Sequence, residues 1–354
     1  MPDHAHTRSA AVAWIVLGLL ASASTLSAEE RPEPTQELMA RTYCAVPLDE
    51  GHVIAGTTFG LVLYRLPMPR PQDGGPQAVL VGPEPVVMLP DSVNDLWAAQ
   101  GLVVAAIGPA GIRMVPLNDD GTRPVTGGIV ELETSGAALS VAMDGNLLVA
   151  ALGVMGVAVY DVSDPAHPVL RSLLETGGYA RHVLLVRSGG GPGDDLWVYV
   201  ANGRKGVVRL RLGADGVSVL ETGMLESEGD VRRLHRFRDG LLFSRGHKGL
   251  CYADLSLAAE SVTCVPSSDV IRGIASNGNT VVAADGGAGV MLVDWSDLRN
   301  PASPVHHPLG DGSANRVLVS GTYAIVAADF HGIRVLNLAE LPVSTTPRPA
   351  EDPR

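Results

Sequence analysis

The sequence has few cysteines, few aromatic residues and little charge. Of its 354 residues, 3 are cysteine, 4% are aromatic and 18% are charged, whereas hydrophobic residues make up 46%. This composition is too apolar for a disordered chain and is ample for a buried core. The net charge of −12 argues against nucleic acid as a partner, because phosphate binding needs a basic surface.

Motifs of the common catalytic classes are missing as well. The chain contains no Gly-x-Ser-x-Gly, no His-Glu-x-x-His and no Walker loop. The glycine-rich run at 189–193 does not precede a strand-to-helix junction, so it does not have the context of a phosphate-binding loop. We therefore expect no catalytic residues, no metal ligands and no cofactor.

Long apolar runs are absent except near the N-terminus. Residues 10–21 are apolar, follow Arg8 and precede small residues, which is typical of a secretory signal cleaved after Ala23 or Ala28. The run is shorter than the roughly 20 apolar residues that a membrane span needs; an uncleaved N-terminal anchor is the alternative. We predict a signal peptide over 1–28 and an exported protein, in the periplasm, outside the cell or on its surface. We expect no membrane span in the mature chain.

What the sequence does have is a repeat of about 40–50 residues. Seven times a short apolar run ends in a small residue, and five positions later a glycine precedes another apolar run. The glycines are Gly60, Gly111, Gly156, Gly206, Gly249, Gly289 and Gly332. The small residues are Ala55, Ala106, Ala151, Ala201, Ser244, Ala284 and Ala327. A period of this size with strand-like content indicates a radial array of small sheets.

The third unit shows what one repeat contains. Its apolar runs are separated by turns, one of them the hairpin-type Asp-Gly-Asn at 144–146. The runs occupy 139–143, 147–151, 157–162 and 169–174. Four short antiparallel strands make one propeller blade. Seven units therefore predict an all-β fold, a seven-bladed β-propeller of four-stranded antiparallel blades.

The ends of the predicted propeller follow from the first and last units. We place the domain at 29–341 and predict that 342–354 is a disordered tail. The seventh unit has no obvious fourth strand of its own. Residues 31–40 are predicted to supply that strand and so to close the ring, which removes an exposed sheet edge.

Three segments of the repeat carry a family resemblance. Residues 159–165 read Val-Tyr-Asp-Val-Ser-Asp-Pro, residues 292–297 read Leu-Val-Asp-Trp-Ser-Asp, and residues 335–338 read Val-Leu-Asn-Leu. This pattern resembles the LVIVD-repeat β-propeller family of exported bacterial proteins, over residues 41–341. The resemblance implies the propeller fold and export, and it brings no catalytic motif with it.

Two of the three cysteines are placed to pair. Cys251 and Cys264 flank a predicted turn near Leu257 and Ala258, so a hairpin there would set them opposite one another. Because an exported protein can form disulfides, this position favours a cross-strand bond. Cys44 is then unpaired, and we expect it to be a small buried apolar residue.

Basic residues of the fourth to sixth units fall at one end of the predicted ring. The position 17 residues before the glycine starts the innermost strand, at the mouth of the central channel, and the turns between strands two and three reach the same end. We call this end the mouth face. Its predicted basic residues are Arg181, Arg204, Lys205, Arg232, Arg245, His247, Lys248 and Arg272.

Such a set predicts a site for an anion, because arginine recognises carboxylates, phosphates and acidic glycans through paired donors. The alternative is that the basic side chains form structural ion pairs with acidic residues of nearby loops. The acidic residues available for that are Glu226, Glu228, Asp230 and Asp269.

Two functions are compatible with this sequence. The first is a non-catalytic exported propeller that binds a protein partner or an anionic ligand, small molecule or glycan, on its mouth face. The alternative is a metal-dependent propeller hydrolase of the lactonase type, which needs several oxygen or imidazole ligands in the channel. Asn94 and Asn315 fall there, but the intervening arginines would repel a cation. Asp285, Asp329 and His331 are a weaker candidate metal set.

Overall fold

Seven antiparallel sheets make up the computed structural model, which describes residues 40–49, 51–66, 81–99, 101–189, 195–213 and 218–346. In these ranges the chain forms 27 strands, and its helical residues are confined to two 3-10 turns, Gly246–Lys248 and Ala259–Ser261. Among the described residues no helix has the length and apolarity to cross a bilayer.

The first four blades each have four strands. Blade I is β1 (Thr42–Pro47), β2 (His52–Thr57), β3 (Gly60–Arg65) and β4 (Val81–Met88). Blade II is β5 (Asp95–Ala99), β6 (Leu102–Ala106), β7 (Ile112–Pro116) and β8 (Val130–Leu132). Blade III is β9 (Ser140–Asp144), β10 (Leu147–Ala151), β11 (Val157–Asp161) and β12 (Val169–Leu174). Blade IV is β13 (His182–Arg187), β14 (Leu196–Ala201), β15 (Val207–Leu212) and β16 (Val219–Leu225).

Blades V and VI repeat this pattern, and blade VII has three described strands. Blade V is β17 (Leu234–Phe237), β18 (Gly240–Ser244), β19 (Leu250–Asp254) and β20 (Thr263–Val265). Blade VI is β21 (Gly273–Asn277), β22 (Thr280–Ala284), β23 (Val290–Asp294) and β24 (Val305–His307). Blade VII is β25 (Arg316–Ser320), β26 (Tyr323–Ala327) and β27 (Ile333–Asn337).

The first strands of the blades form a closed inner ring. Each of them contacts the first strand of the next blade, and β25 of blade VII contacts β1 of blade I. At that junction the backbone N–H of Thr42 donates to the carbonyl of Asp329 at 2.9 Å. The seven-bladed propeller predicted from the repeat is therefore confirmed, and in blade III the strand bounds agree to within one residue.

The repeated glycine has two physical causes. Gly156 has a φ of +82°, and a Cβ there would lie 2.1 Å from the carbonyl oxygen of Leu174 on the outer strand. Glycine is therefore required both by the left-handed backbone and by the close approach of β12. At Gly332 the φ is +67° but the nearest described atom is the Tyr64 hydroxyl at 2.9 Å, because blade VII has no described fourth strand.

The core lies between blades rather than inside them. The described residues form seven buried clusters, and each draws its residues from two adjacent blades, including one that joins blade VII to blade I. The repeated small residues at the ends of the second strands are all fully buried. Each buried Val or Leu contributes about 1.5–3 kcal/mol, so most of the stability comes from contacts between neighbouring blades.

The fourth strand of blade VII and the two chain ends remain predictions. Of the residues proposed for that strand, 31–39 lie outside the described residues, as do the signal segment 1–28 and the end of the tail, 347–354. The described part of the tail runs along blade VI. Val343 packs on the cluster between blades VI and VII, and the backbone N–H of Ser303 donates to the carbonyl of Thr346 at 3.1 Å.

The disulfide predicted between Cys251 and Cys264 is present in the hairpin of β19 and β20. Cys251 on β19 is paired in register with Cys264 on β20, and the two are joined by a disulfide. Cys44 is a free, buried cysteine on β1 that packs in the core cluster between blades I and II.

Candidate functional site

The mouth face is assembled from two parts of each repeat. The turn between the second and third strands of one blade is bridged to a residue two or three positions before the first strand of the next blade, as in Gly153 with Ala180 and Gly203 with Val231. These bridges set the turn residues and the strand starts at the same end of the ring. The basic residues predicted for this end therefore lie on it.

Several of those basic side chains are held by acidic neighbours. Asp230 accepts a hydrogen bond from Nε of Arg181 at 3.1 Å and one from Nε of Arg232 at 2.8 Å. The Lys248 ammonium lies 3.1 Å from Glu228, and Arg245 lies 3.9 Å from the same carboxylate. Ion pairing, the alternative interpretation of these residues, thus accounts for a large part of the set.

The remaining partners on blades V and VI are weaker or neutral. Nδ1 of His247 lies 3.8 Å from Asp269. Arg272 donates to the side-chain oxygen of Asn315 at 2.9 Å, which links blade VI to blade VII. Arg245 also donates to Sγ of Cys264 at 3.4 Å.

Arg204 and Lys205 differ from the rest of the set. Both are exposed on the turn between β14 and β15, and neither forms an ion pair with any residue that the structure describes. Their charge is therefore available to a partner, whereas Arg272, which also forms no ion pair with a described residue, is held by hydrogen bonds to Ser313 and Asn315.

These two cations border an exposed apolar surface. Tyr179 lies between two turns. A Cβ added at Gly153 would lie 3.2 Å from the Tyr179 ring, and a Cβ added at Gly203 would lie 3.4 Å from the Tyr179 Cβ. The guanidinium of Arg181 stacks on the Tyr179 ring, 4.7 Å from its centroid. On the blade III turn, Val154 is 75% and Met155 is 36% exposed. We call the surface formed by Val154, Met155, Tyr179, Arg181, Arg204 and Lys205 the mouth patch.

A second polar cluster lies in the central channel and is not among the residues predicted from the sequence. Its residues fall 16 positions before the repeated glycine, one position after the column that starts the innermost strands (in blade IV an insertion lengthens the spacing). They are Cys44, Asp95, Ser140, His182, Arg233, Gly273 and Arg316. We call these seven residues the channel hub. The presence of one acid, one histidine and two arginines in a column of buried strands was the signal that could have identified it.

Asp95 is the centre of the channel hub. Its side chain is 1% exposed, and its Oδ1 lies 2.9 Å from Nη2 of Arg316 and 3.6 Å from Nη1 of Arg233. Ser140 also bonds to this carboxylate. One side chain of blade II thus contacts blades III, V and VII, which is possible only because the first strands converge on one axis.

Burial and charge set the protonation states of the hub. Although burial raises the pKa of Asp95, Arg316 and Arg233 outweigh it and hold that pKa below its ordinary value. Burial, helped by Arg316, lowers the pKa of Arg233 to about 10. Burial also lowers the pKa of His182 well below its ordinary value, with Arg233 adding to the effect. At neutral pH the hub therefore holds two positive charges, one negative charge and a neutral imidazole.

Beside the hub lies a cavity of about 330 Å³. Asp95, His182, Arg233 and Arg316 line it, together with His235 from β17, and its apolar wall includes Trp97, Met143, Leu185 and Ile274. Burial and Arg316 lower the pKa of His235 to about 4, and its Nε2 lies 3.0 Å from the Ser276 hydroxyl.

Of the candidate metal ligands, Asp285 is engaged by its neighbours. The fully buried carboxylate of Asp285 accepts the backbone N–H groups of Ser268 and Asp269 at 2.9 and 3.0 Å and lies 3.0 Å from Nε2 of His306. His307 turns the other way, towards the carbonyl of Pro342 at 3.2 Å. Across the described ranges, no group of three or more His, Cys, Asp or Glu side chains is arranged to hold a metal ion.

The architecture defines this chain as a seven-bladed β-propeller, and solved structures with the same fold are numerous. The structure of U3-55K aligns with a TM-score of 0.62 and 11% identity, over 87% of this chain and 97% of that one. The Pan2 WD40 domain of Neurospora crassa aligns with a TM-score of 0.59 and 12% identity, over 90% and 95%. The computationally designed Ika8 protein aligns with a TM-score of 0.58 and 10% identity, over 84% of this chain and 96% of that one. At such identities the likeness shows the fold alone.

The repeat itself is shown by a family model. The LVIVD repeat model matches residues 135–176, which form blade III, and residues 311–335, which include most of blade VII. The chain is therefore a seven-bladed propeller in which two segments match the LVIVD repeat. No curated protein matches the sequence.

Proposed function

We propose that this chain is an exported, non-catalytic binding propeller whose mouth patch docks a protein partner that carries acidic and apolar side chains. The observation that carries the proposal is the composition of the mouth patch. It joins exposed apolar side chains, an aromatic ring stacked by an arginine, and two cations without an ion pair in the described part of the chain.

The chemistry of protein interfaces supports this choice of occupant. Aromatic residues, methionine and arginine are enriched at interfaces, and a few of them supply most of the binding energy. Tyr179 is held between two turns by its neighbours, so little side-chain entropy would be lost when a partner covers it. Arg204 and Lys205 favour a partner of opposite charge, although the net charge of the whole chain is −12.

Export is supported by two independent features. The N-terminal segment has the composition of a secretory signal, and the Cys251–Cys264 disulfide is of the kind that persists in oxidising compartments.

Selection of random displayed peptides tests the proposal. The wild-type protein should enrich peptides that combine Asp or Glu with large apolar residues. The variant R204E/K205E should weaken binding of the enriched peptides at least tenfold, because it places like charges opposite them. A matched control is R65E/R299E, which changes the charge equally at exposed positions at the other end of the blades and should bind like wild type.

Enriched peptides without acidic residues would contradict the proposal. So would equal affinity of the mouth variant and the control variant for the enriched peptides. A stoichiometric divalent ion that accompanies hydrolytic activity in purified protein would instead favour the lactonase-type alternative.

A further inference from the structure

We propose that the cavity beside the channel hub is a second binding site, distinct from the mouth patch, for a small organic carboxylate with an apolar or aromatic body. The proposal starts from the charges that line the cavity. Arg233 and Arg316 are opposed by the single carboxylate of Asp95, so the site has one positive charge in excess when both imidazoles are neutral.

The exposure of these groups decides which charge a ligand meets. The Asp95 side chain is 1% exposed, whereas the side chains of Arg233 and Arg316 keep 15% and 18% of their surface accessible. The carboxylate is thus covered, whereas the two arginine side chains line the cavity and keep part of their surface accessible. A bound cation would meet two guanidinium groups and be repelled.

The hydrogen bonding of the two arginines is also incomplete. Nη1 of Arg233 and Nη1 of Arg316 are buried without a hydrogen-bond partner in the described residues. A buried polar atom without a partner is costly. A second carboxylate in the cavity would allow both guanidinium groups to reorient and share their donors between it and Asp95.

The rest of the wall defines the body of the ligand. Trp97, Met143, Leu185 and Ile274 give an apolar side, and the cavity of about 330 Å³ is near the small end of the range for ligand sites, about 300–1,000 Å³. Gly273, the hub residue of blade VI, packs closely against blade VII, since a Cβ there would lie 2.7 Å from the backbone nitrogen of Val317.

Titration calorimetry with paired probes tests the proposal. The probes are benzoate, phenylacetate and hexanoate, each compared with its neutral amide. At least one carboxylate should bind wild-type protein ten or more times as tightly as its amide, because hydrogen bonds between charged groups are stronger than those made by a neutral amide. Binding should change the fluorescence of Trp97, and W97F should lose that change.

Variants separate the cavity from the mouth patch. R316Q should weaken the carboxylate about tenfold, while R299Q, an exposed control, and R204E/K205E, the mouth variant, should bind it like wild type. The comparison of acid with amide in wild-type protein stands even if R316Q does not fold. The proposal is overturned if no carboxylate binds more tightly than its amide, or if folded R316Q binds as wild type does.

Discussion

At the scale of single residues, the position of a side chain within its strand decides its role. Arg232 and Arg233 are neighbours, yet Arg232 is on the mouth face, bonded to Asp230, and Arg233 lies in the channel near Asp95. Successive residues of an extended chain point in opposite directions. The repeat therefore predicted the starts of the inner strands to within two residues. The residues of the channel hub lie one position further along the chain than the predicted column.

The neutral His235 makes stability depend on pH. Its pKa is about 4 in the folded chain against 6.5 when unperturbed, because burial and Arg316 disfavour its charge. Below pH 6.5 the unfolded chain takes up a proton that the folded chain does not. The free energy of unfolding should therefore fall as the pH drops from about 6.5 to about 4, by up to about 3 kcal/mol from this residue.

Urea unfolding at several pH values checks this expectation. H235Q should lose a large part of the decrease between pH 6.5 and pH 4, although His182 continues to contribute to it. An unchanged slope in H235Q would show that His235 does not remain neutral on folding.

At the scale of elements, the repeat predicted most of the strands because glycine and alanine mark positions where neighbouring strands leave no room for a larger side chain. The fourth strands were harder to predict, since only some loops carry the Asp-x-Ser-Asp-Pro form. In blade II the outer strand β8 has only three residues. The ion pairs of the mouth face could not be chosen from the sequence either. Glu226, Glu228 and Asp230 lie in the same loop, yet only Glu228 and Asp230 pair with a basic residue that the structure describes.

Substitution of two glycines in blade III distinguishes the cost of backbone strain from the cost of steric overlap. Gly145 has a φ of +56°, and a Cβ added there would have no atom within 4 Å, whereas at Gly156 the φ is +82° and the Leu174 carbonyl would lie at 2.1 Å. G145A should cost about 1–2 kcal/mol for its left-handed backbone. G156A should cost at least about 2 kcal/mol more, since β12 must move.

Denaturant unfolding of the two variants measures this difference. Equal losses of stability would mean that the close approach of the outer strand is not what selects glycine at the repeat position.

At the scale of the whole molecule, stability and the proposed sites depend on ring closure. Each core cluster joins two blades, and the channel hub joins residues of blades II, III, V and VII through one carboxylate. The number of blades could be predicted from seven repeats. The column that forms the hub could also be found from the repeat, but the pairing within it could not, because the contact between Asp95 and Arg233 crosses the channel and follows from no local pattern.

A double-mutant cycle between Asp95 and Arg316 tests ring closure and the hub together. The two residues belong to blades II and VII and approach to 2.9 Å. D95N alone should be strongly destabilising, by about 3–5 kcal/mol, because it leaves buried guanidinium charge uncompensated. The loss in D95N/R316Q should be smaller than the sum of the single losses by at least about 1 kcal/mol. Strictly additive losses in the four urea-unfolding curves would contradict a hub that joins these blades.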